Sequence, residues 1–527
     1  MRLSAAPPRV LYLLQVRHGC RRLPLVTAMA GKADVEAAAR ALLNAVFQEL
    51  RAHERAVRLR PSGWMDLLPF RGQSVMSLAE YNDLEAALKS AFPGRFEGVP
   101  RDVEFAMTYA FALLDGAILW VAGRPASFEL SQEALTVATG ELMHLLEREH
   151  DTAIAARVVT DIAVDAPVRS GPIEIRPVGS WGLIDAYRDI DGFIPGAGQM
   201  LDADMGHRIG GSFTYAVLRA EGDAPASVRP GAGYDIAWRK AAARVHTLTA
   251  ALRLTTATTS QVVVDVTAAP GLVRRYAPEI VRYDLPLLEQ IQRIGHIQPD
   301  LGVPLAQLCD HLAAWTGDEH RPHGVGVALS RYSRSFEARP WFDMLVDVVV
   351  GLEGALLGGS EQEEIGLRLR SRAAALLSTS ADPPAMIYAD IKRIYGLRSL
   401  VVHGSNPTTK ELEAQAYKIS VTERTTYAGV KWALALDRAR DLLRRAILAR
   451  GFLLEAERWP GGRKGSRFDV DAQLIDPAAR EEWRRSWRDP LEAMGLGFAA
   501  DEATAASLDV VPPDRSHRGQ GPRPPGA

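Results

Sequence analysis

Arg398 and His403 are the residues whose types and spacing could do chemistry. Ile387, Ile391, Ile394, Val401 and Val402 recur at helical spacing between Ala385 and His403. Arg398 falls four residues after Ile394 and three before Val401, in the centre of that apolar stripe. A guanidinium there keeps its charge, so it must find an acceptor or lie beside a groove. Glu353, on the edge of an earlier helix's stripe, is the nearest candidate partner. His403 occupies the last helical turn, where the negative helix end favours its protonated form. A cation for phosphate charge and a histidine titrating near neutral pH suit metal-free phosphodiester cleavage. Packing accounts for the same types: Arg398 would pair with Glu353, and His403 would close the helix. On residue types alone the packing reading has the advantage.

These residues must be positioned by helices. Trp341, Met344, Leu345, Val348, Val349, Leu352 and Leu356 form one stripe, which Gly358-Gly359 ends. A second helix buries Ile365, Leu369, Ala373 and Leu376, and Asp382-Pro383-Pro384 breaks the chain before the third. Gly404 to Pro407 stops the third helix, Thr408-x-x-Glu411 fits a capping box, and a last helix is expected over Tyr427 to Arg450. The expected packing sets the first and third helices side by side, with Arg398 in hydrogen-bonding reach of Glu353 or facing a partner subunit. Five helical residues turn the chain by about 500°, so Arg398 and His403 stand about 140° apart around the axis. Either the last turn opens at Gly404, or the two groups meet those of a second subunit, which favours a homodimer.

The succession Val350-Gly-Leu-Glu-Gly-Ala-Leu-Leu357, Leu369-Arg-Ser-Arg-Ala-Ala-Ala-Leu-Leu377 and Ile394-Tyr-Gly-Leu-Arg-Ser-Leu-Val-Val-His-Gly404 resembles the Apea-like HEPN family. The likeness covers about a quarter of the chain, and the ordered three-part match is more specific than Arg-x4-His alone. It implies a HEPN-type helical bundle over 331–455 and a metal-independent endoribonuclease or RNA-directed effector of the defence or toxin type. Arg398 would hold the scissile phosphate, His403 would move protons around the attacking 2′-hydroxyl, and Ser399 would orient either group. The family also implies RNA as partner and a homodimer through this domain. Some HEPN domains are non-catalytic assembly or binding modules, and that alternative would leave the upstream region as the functional part.

The rest of the chain is less informative. With 527 residues, 47% hydrophobic and 24% charged, it has room for several cores, and a net charge of −2 gives no global attraction to a polyanion. Nucleic-acid contact then requires a local basic patch, for which Arg440, Arg444 and Arg445 on the last helix are the candidates, although a solvated face explains them equally. Cys20 and Cys309 are far apart, which excludes a disulfide framework and suits a reducing, cytoplasmic setting. No cofactor, metal or membrane partner is expected: Asp318 to His323 reads as a loop around Pro322, Gly206 to Gly211 as a turn, and the apolar run Phe105 to Gly123 carries Asp115 at its middle.

The pattern predicts a mainly α chain with a mixed α/β middle region. Residues 1–33 form an arginine-rich, acid-free leader expected to be disordered, with Met29 as an alternative start. Residues 34–161 are expected to be helical and 162–330 mixed, with strands at Ile173–Pro177, Phe213–Leu218 and Gln261–Val266 and a helix at Trp238–Leu254. Residues 456–527 are expected to form a polar, largely disordered tail.

Overall fold

The structure, a computed structural model, describes residues 27–52, 77–93, 130–179, 185–186, 189–190, 214–225, 232–256, 258–268, 279–283, 294–316, 324–337, 340–357, 364–402, 408–420, 431–459 and 469–496. They fall into two compact units that divide after Glu147.

In the first unit α1 (Thr27–Ala52) packs against α2 (Ala79–Ala91) and α3 (Gln132–Glu147). Val35, Ala39, Leu42, Leu43, Val46 and Phe47 bury one side of α1, and Tyr81, Leu84 and Leu88 bury the facing side of α2. Helix α1 begins at Thr27, inside the expected leader; residues 1–26 and 101–129, which hold the apolar run from Phe105, lie outside the described residues.

The second unit opens with β1 (His150–Thr160), followed by β2 (Ile162–Val164), β3 (Val168–Ser170), β4 (Ile173–Pro177) and β5 (Tyr215–Pro225). Next come α4 (Ala232–Thr256), β6 (Val262–Ala268), β7 (Glu279–Arg282) and β8 (Gly295–Ile297). Six strands form an antiparallel sheet in the order β3-β4-β5-β1-β6-β7, while β2 and β8 pair in parallel. The two long strands run in register from His150↔Pro225 to Thr160↔Tyr215. Helix α4 covers one sheet face, meeting Ala153, Ala155 and Val159, whereas Ile154, Ala156 and Val158 pack into a second core on the other face.

This corrects the expected boundary at 161. Strand β1 is buried on both faces, so it lacks the period-two alternation that marks a half-exposed strand, and its alanines read as helix.

The chain then becomes helical: α5 (Gly302–Thr316), α6 (Gly324–Arg334), α7 (Trp341–Leu356), α8 (Ile365–Leu377), α9 (Pro384–Val402), α10 (Thr409–Ala416), α11 (Lys431–Glu455), α12 (Val470–Ile475) and α13 (Pro477–Ala493). Helix α7 packs against α6, α9 and α11, and α8 against α9, α11 and α13. Close approach rests on small residues: a Cβ on Gly324 would stand 2.4 Å from the Gly354 carbonyl oxygen, and one on Gly351 would stand 2.7 Å from Leu443.

Because α5 and α6 share one core with α7 and α11, the expected division at 330 is not seen. The expected polar tail is corrected as well. Asp469 and Asp476 cap α12 and α13, and Trp483, Trp487 and Leu491, four residues apart on α13, are buried. Trp459 and Trp483 meet with ring centroids 5.6 Å apart. The charge density of α13 hides this stripe in the sequence.

Candidate functional site

The third helix of the sequence reading is α9. Pro383 precedes it, and Ile387, Ile391, Ile394 and Leu397 are its buried apolar residues, with Asp390 buried among them. The central position of the stripe thus belongs to Leu397 rather than Arg398, because a period of 3.6 residues turns 397 inward after 394. Val401 is half-buried and Val402 is 48% exposed.

Arg398 is half-buried at the stripe's edge. Its Nε is buried without a hydrogen-bond partner, and its guanidinium carbon lies 5.8 Å from the Tyr395 ring centroid. Helices α7 and α9 do pack together as expected, and Glu353 sits in the last turn of α7. No ion pair closes between Glu353 and Arg398 among the described residues, so of the two expected arrangements the bond to Glu353 is not formed within one chain. The two interact through space: burial raises the Glu353 carboxyl above the ordinary carboxylate range, and the Arg398 charge draws it part of the way back. Ser399 is half-buried on the same turn. His403 and Gly404 lie outside the described residues.

A second arginine shares this environment. Arg370 on α8 is half-buried, its Nε is buried and unbonded, and its guanidinium carbon lies 5.0 Å from the Tyr388 ring centroid.

Arg440, Arg444 and Arg445 do not form the expected RNA-binding face. They are 4%, 2% and 0% exposed. Arg440 donates to the Ser335 carbonyl and lies 4.3 Å from the Phe336 ring centroid, where burial lowers its pKa to about 10. Arg444 donates to Asp441 (2.7 Å) and to the Leu254 carbonyl (3.0 Å). Arg445 donates to Asp382 (2.7 Å) and Asp441 (2.5 Å). Arg438, two turns before Arg445, binds Asp382 and Asp390, and Asp390 also accepts the backbone N–H and hydroxyl of Ser420.

Three carboxylates thereby meet three guanidinium groups, and the charge is matched inside the core. The arginine count on α11 and the Asp441–Arg445 pair one turn apart were legible in sequence, but Asp382 in the turn before α9 and Asp390 on α9 come from distant segments. Asp382 and Asp390 carried no signal of their own.

Two further clusters escaped the sequence reading. His311 Nδ1 lies 2.8 Å from Glu455 Oε1, which also accepts the Trp315 indole N–H at 2.7 Å. Asp161 adopts φ 56° between β1 and β2, where few non-glycine residues sit. It is 4% exposed, and burial raises its pKa to about 6 against the opposing hydroxyls of Thr259 and Thr160.

The capping box of α10 is present: Glu411 N–H donates to Thr408 Oγ1 at 3.3 Å, and Thr408 N–H donates to Glu411 at 2.8 Å. Residues 206–211 and 318–323 lie outside the described residues, among which no three His, Cys, Asp or Glu side chains gather as metal ligands. No helix among the described residues is long and apolar enough to cross a membrane. No family model, curated protein or solved structure matches the chain.

Proposed function

We infer that the C-terminal helices form an Apea-like HEPN domain acting as a metal-independent endoribonuclease, with Arg398 as phosphate ligand and His403 as proton carrier. The observation that carries this reading is the state of Arg398. Arg438, Arg440, Arg444 and Arg445 each donate to a carboxylate or a carbonyl, although the Nε of Arg444 and of Arg445 is also buried and unbonded, whereas Arg398 makes no hydrogen bond or ion pair among the described residues and keeps its buried Nε beside a carboxyl it does not pair with. An unbonded buried N–H costs about 1–3 kcal/mol, and an anion that fills the position recovers that cost.

In the reaction the 2′-hydroxyl of the substrate attacks its neighbouring phosphorus, and the bond to the 5′-oxygen of the next nucleotide breaks. His403 takes the hydroxyl proton and a proton is returned from a histidine to the departing 5′-oxygen, so the products are a 2′,3′-cyclic phosphate and a free 5′-hydroxyl, while the guanidinium of Arg398 stabilises the charge on the phosphoryl oxygens. Ser399 and Glu353 stand beside Arg398 as orienting groups. With Arg398 and His403 separated around the helix axis, two copies of the chain complete the site. A role in an RNA-directed defence or toxin system follows from the same resemblance, and a cytoplasmic setting from the two distant cysteines Cys20 and Cys309.

The test is cleavage of single-stranded RNA by purified protein, with and without a chelator, beside His403→Ala and Arg398→Ala. Each substitution should abolish cleavage while the melting temperature of the His403 variant stays close to wild type. Chelator should leave the rate unchanged, and products should end in 2′,3′-cyclic phosphates. Cleavage that survives His403→Ala, or that requires a divalent ion, overturns the mechanism and leaves a non-catalytic assembly module as the better reading.

A further inference from the structure

Tyr388 and Tyr395 lie seven residues apart on α9 and so share one face, about 10 Å apart along the axis. That face meets α8, since a Cβ on Gly366 would stand 3.4 Å from the Tyr395 ring, and Arg370 stacks over Tyr388. Arg398 lies against Tyr395 one turn further on. The seam between α8 and α9 therefore carries two half-buried guanidinium groups, each set against a tyrosine ring and each without a carboxylate partner among the described residues. Lys392, exposed on the intervening turn of α9, has no ion-pair partner there either.

Other arginines on these helices are matched: Arg368 and Arg372 reach Asp471, and Arg393 reaches Asp390. Guanidinium groups left out of ion pairs along one seam are available to a polyanion, and the Glu353 carboxyl near Arg398 is held toward its neutral form by burial. The two guanidinium groups lie against rings spaced about 10 Å along one helix face, with Lys392 between those rings in sequence, which suits one strand, whereas a duplex presents two backbones across a groove. Both tyrosine rings already lie against guanidinium groups, so the seam offers charge to phosphates in preference to ring faces for bases. Among Arg370, Lys392 and Arg398 all polar atoms are donors, as phosphate oxygens need.

We propose that the α8–α9 seam is a backbone clamp for single-stranded nucleic acid that engages RNA and DNA alike, with Arg370 and Lys392 holding the strand next to Arg398. The clamp rests on the reading of Arg398 as a phosphate ligand, and it does not require cleavage. Bound single-stranded DNA, which lacks the attacking hydroxyl, then occupies the site as a competitor.

The full-length chain is titrated by fluorescence anisotropy against a labelled oligouridylate and an oligothymidylate of equal length, over a range of salt. Each single-strand phosphate contact contributes ~0.7 to the salt slope, so Arg370→Ala and Lys392→Ala should each lower affinity about fivefold near 0.1 M salt. Both oligonucleotides should lose equally, and Arg370→Lys should restore the slope. Lys392 is exposed, so its variant tests the clamp without a folding cost. Unchanged affinity and slope in both alanine variants overturn the clamp, as does a loss confined to RNA or a shift in sedimentation showing that the seam joins two copies of the chain. Wild-type protein that binds through the seam but leaves RNA intact sinks the ribonuclease reading and keeps the clamp. Cleavage by wild type with unaltered binding in the variants does the reverse.

Discussion

The Asp382 carboxylate accepts a fork of two hydrogen bonds from Arg438, at 2.7 and 2.8 Å, across 56 residues of sequence. The bond ties the turn before α9 to the middle of α11, and Asp382 is 2% exposed. Asp382→Ala leaves Arg438 and Arg445 short of an acceptor in the core. The expected cost is about 3–5 kcal/mol, measured by urea unfolding. A loss under 1 kcal/mol would show that water takes over the bonds.

Acid should loosen the same network. Burial alone would raise the Asp441 carboxyl, but Arg445, Arg444 and Arg438 hold it well below the usual carboxylate range. A depressed folded pKa contributes stability above the unfolded value near 3.8, and that stability is lost as pH falls through the folded pKa. Melting temperature should therefore drop steeply below pH 4. In Asp441→Asn the neutral-pH value should be lower and the acid slope shallower; parallel curves for the two proteins would refute the linkage.

Asp161 should behave in the opposite sense. Its pKa is raised to about 6 by burial, so the stability it contributes is fully present below the unfolded value near 3.8 and is lost as pH rises through about 6. Asn tolerates the left-handed backbone and can still accept from the threonine hydroxyls. Asp161→Asn should then stabilise the protein at pH 8 by roughly 2 kcal/mol relative to its effect at pH 4. Chemical denaturation at the two pH values decides the matter, and an equal effect at both counts against a buried, proton-holding Asp161.

Gly451 lies under the Trp315 ring, and a Cβ there would stand 2.3 Å from ring carbons. Trp315 also packs edge-on against Phe452 and donates to Glu455, so it has little room to move. Gly451→Ala should cost about 1–3 kcal/mol by overpacking. A red shift in tryptophan emission should accompany it if the ring is displaced, and a variant that melts with wild type and keeps its emission would show that α11 yields instead.

Local pattern alone determined the helices around the site. The stripe from Trp341 to Leu356, the Asp382-Pro383-Pro384 break and the Thr408 capping box are set by neighbours within a few residues, so α7, α9 and α10 were legible. Strands β4 and β6 lie where the sequence pattern puts them for the same reason, whereas β5 runs on from Leu218 to Pro225 through residues whose charges and glycine hide it.

What pairs with what was decided by tertiary structure. An arginine's sequence context does not reveal whether its partner is water, phosphate or a carboxylate far along the chain. Arg440, Arg444 and Arg445 look like a basic face until Ser335, Leu254 and Asp382 from other segments close over them. Arg398 looks like a core cation awaiting Glu353 until Leu397 takes the inward position and leaves it at the edge. Hydrophobic periodicity is a property of consecutive residues, whereas charge compensation depends on distances between segments, and only the packed chain sets those.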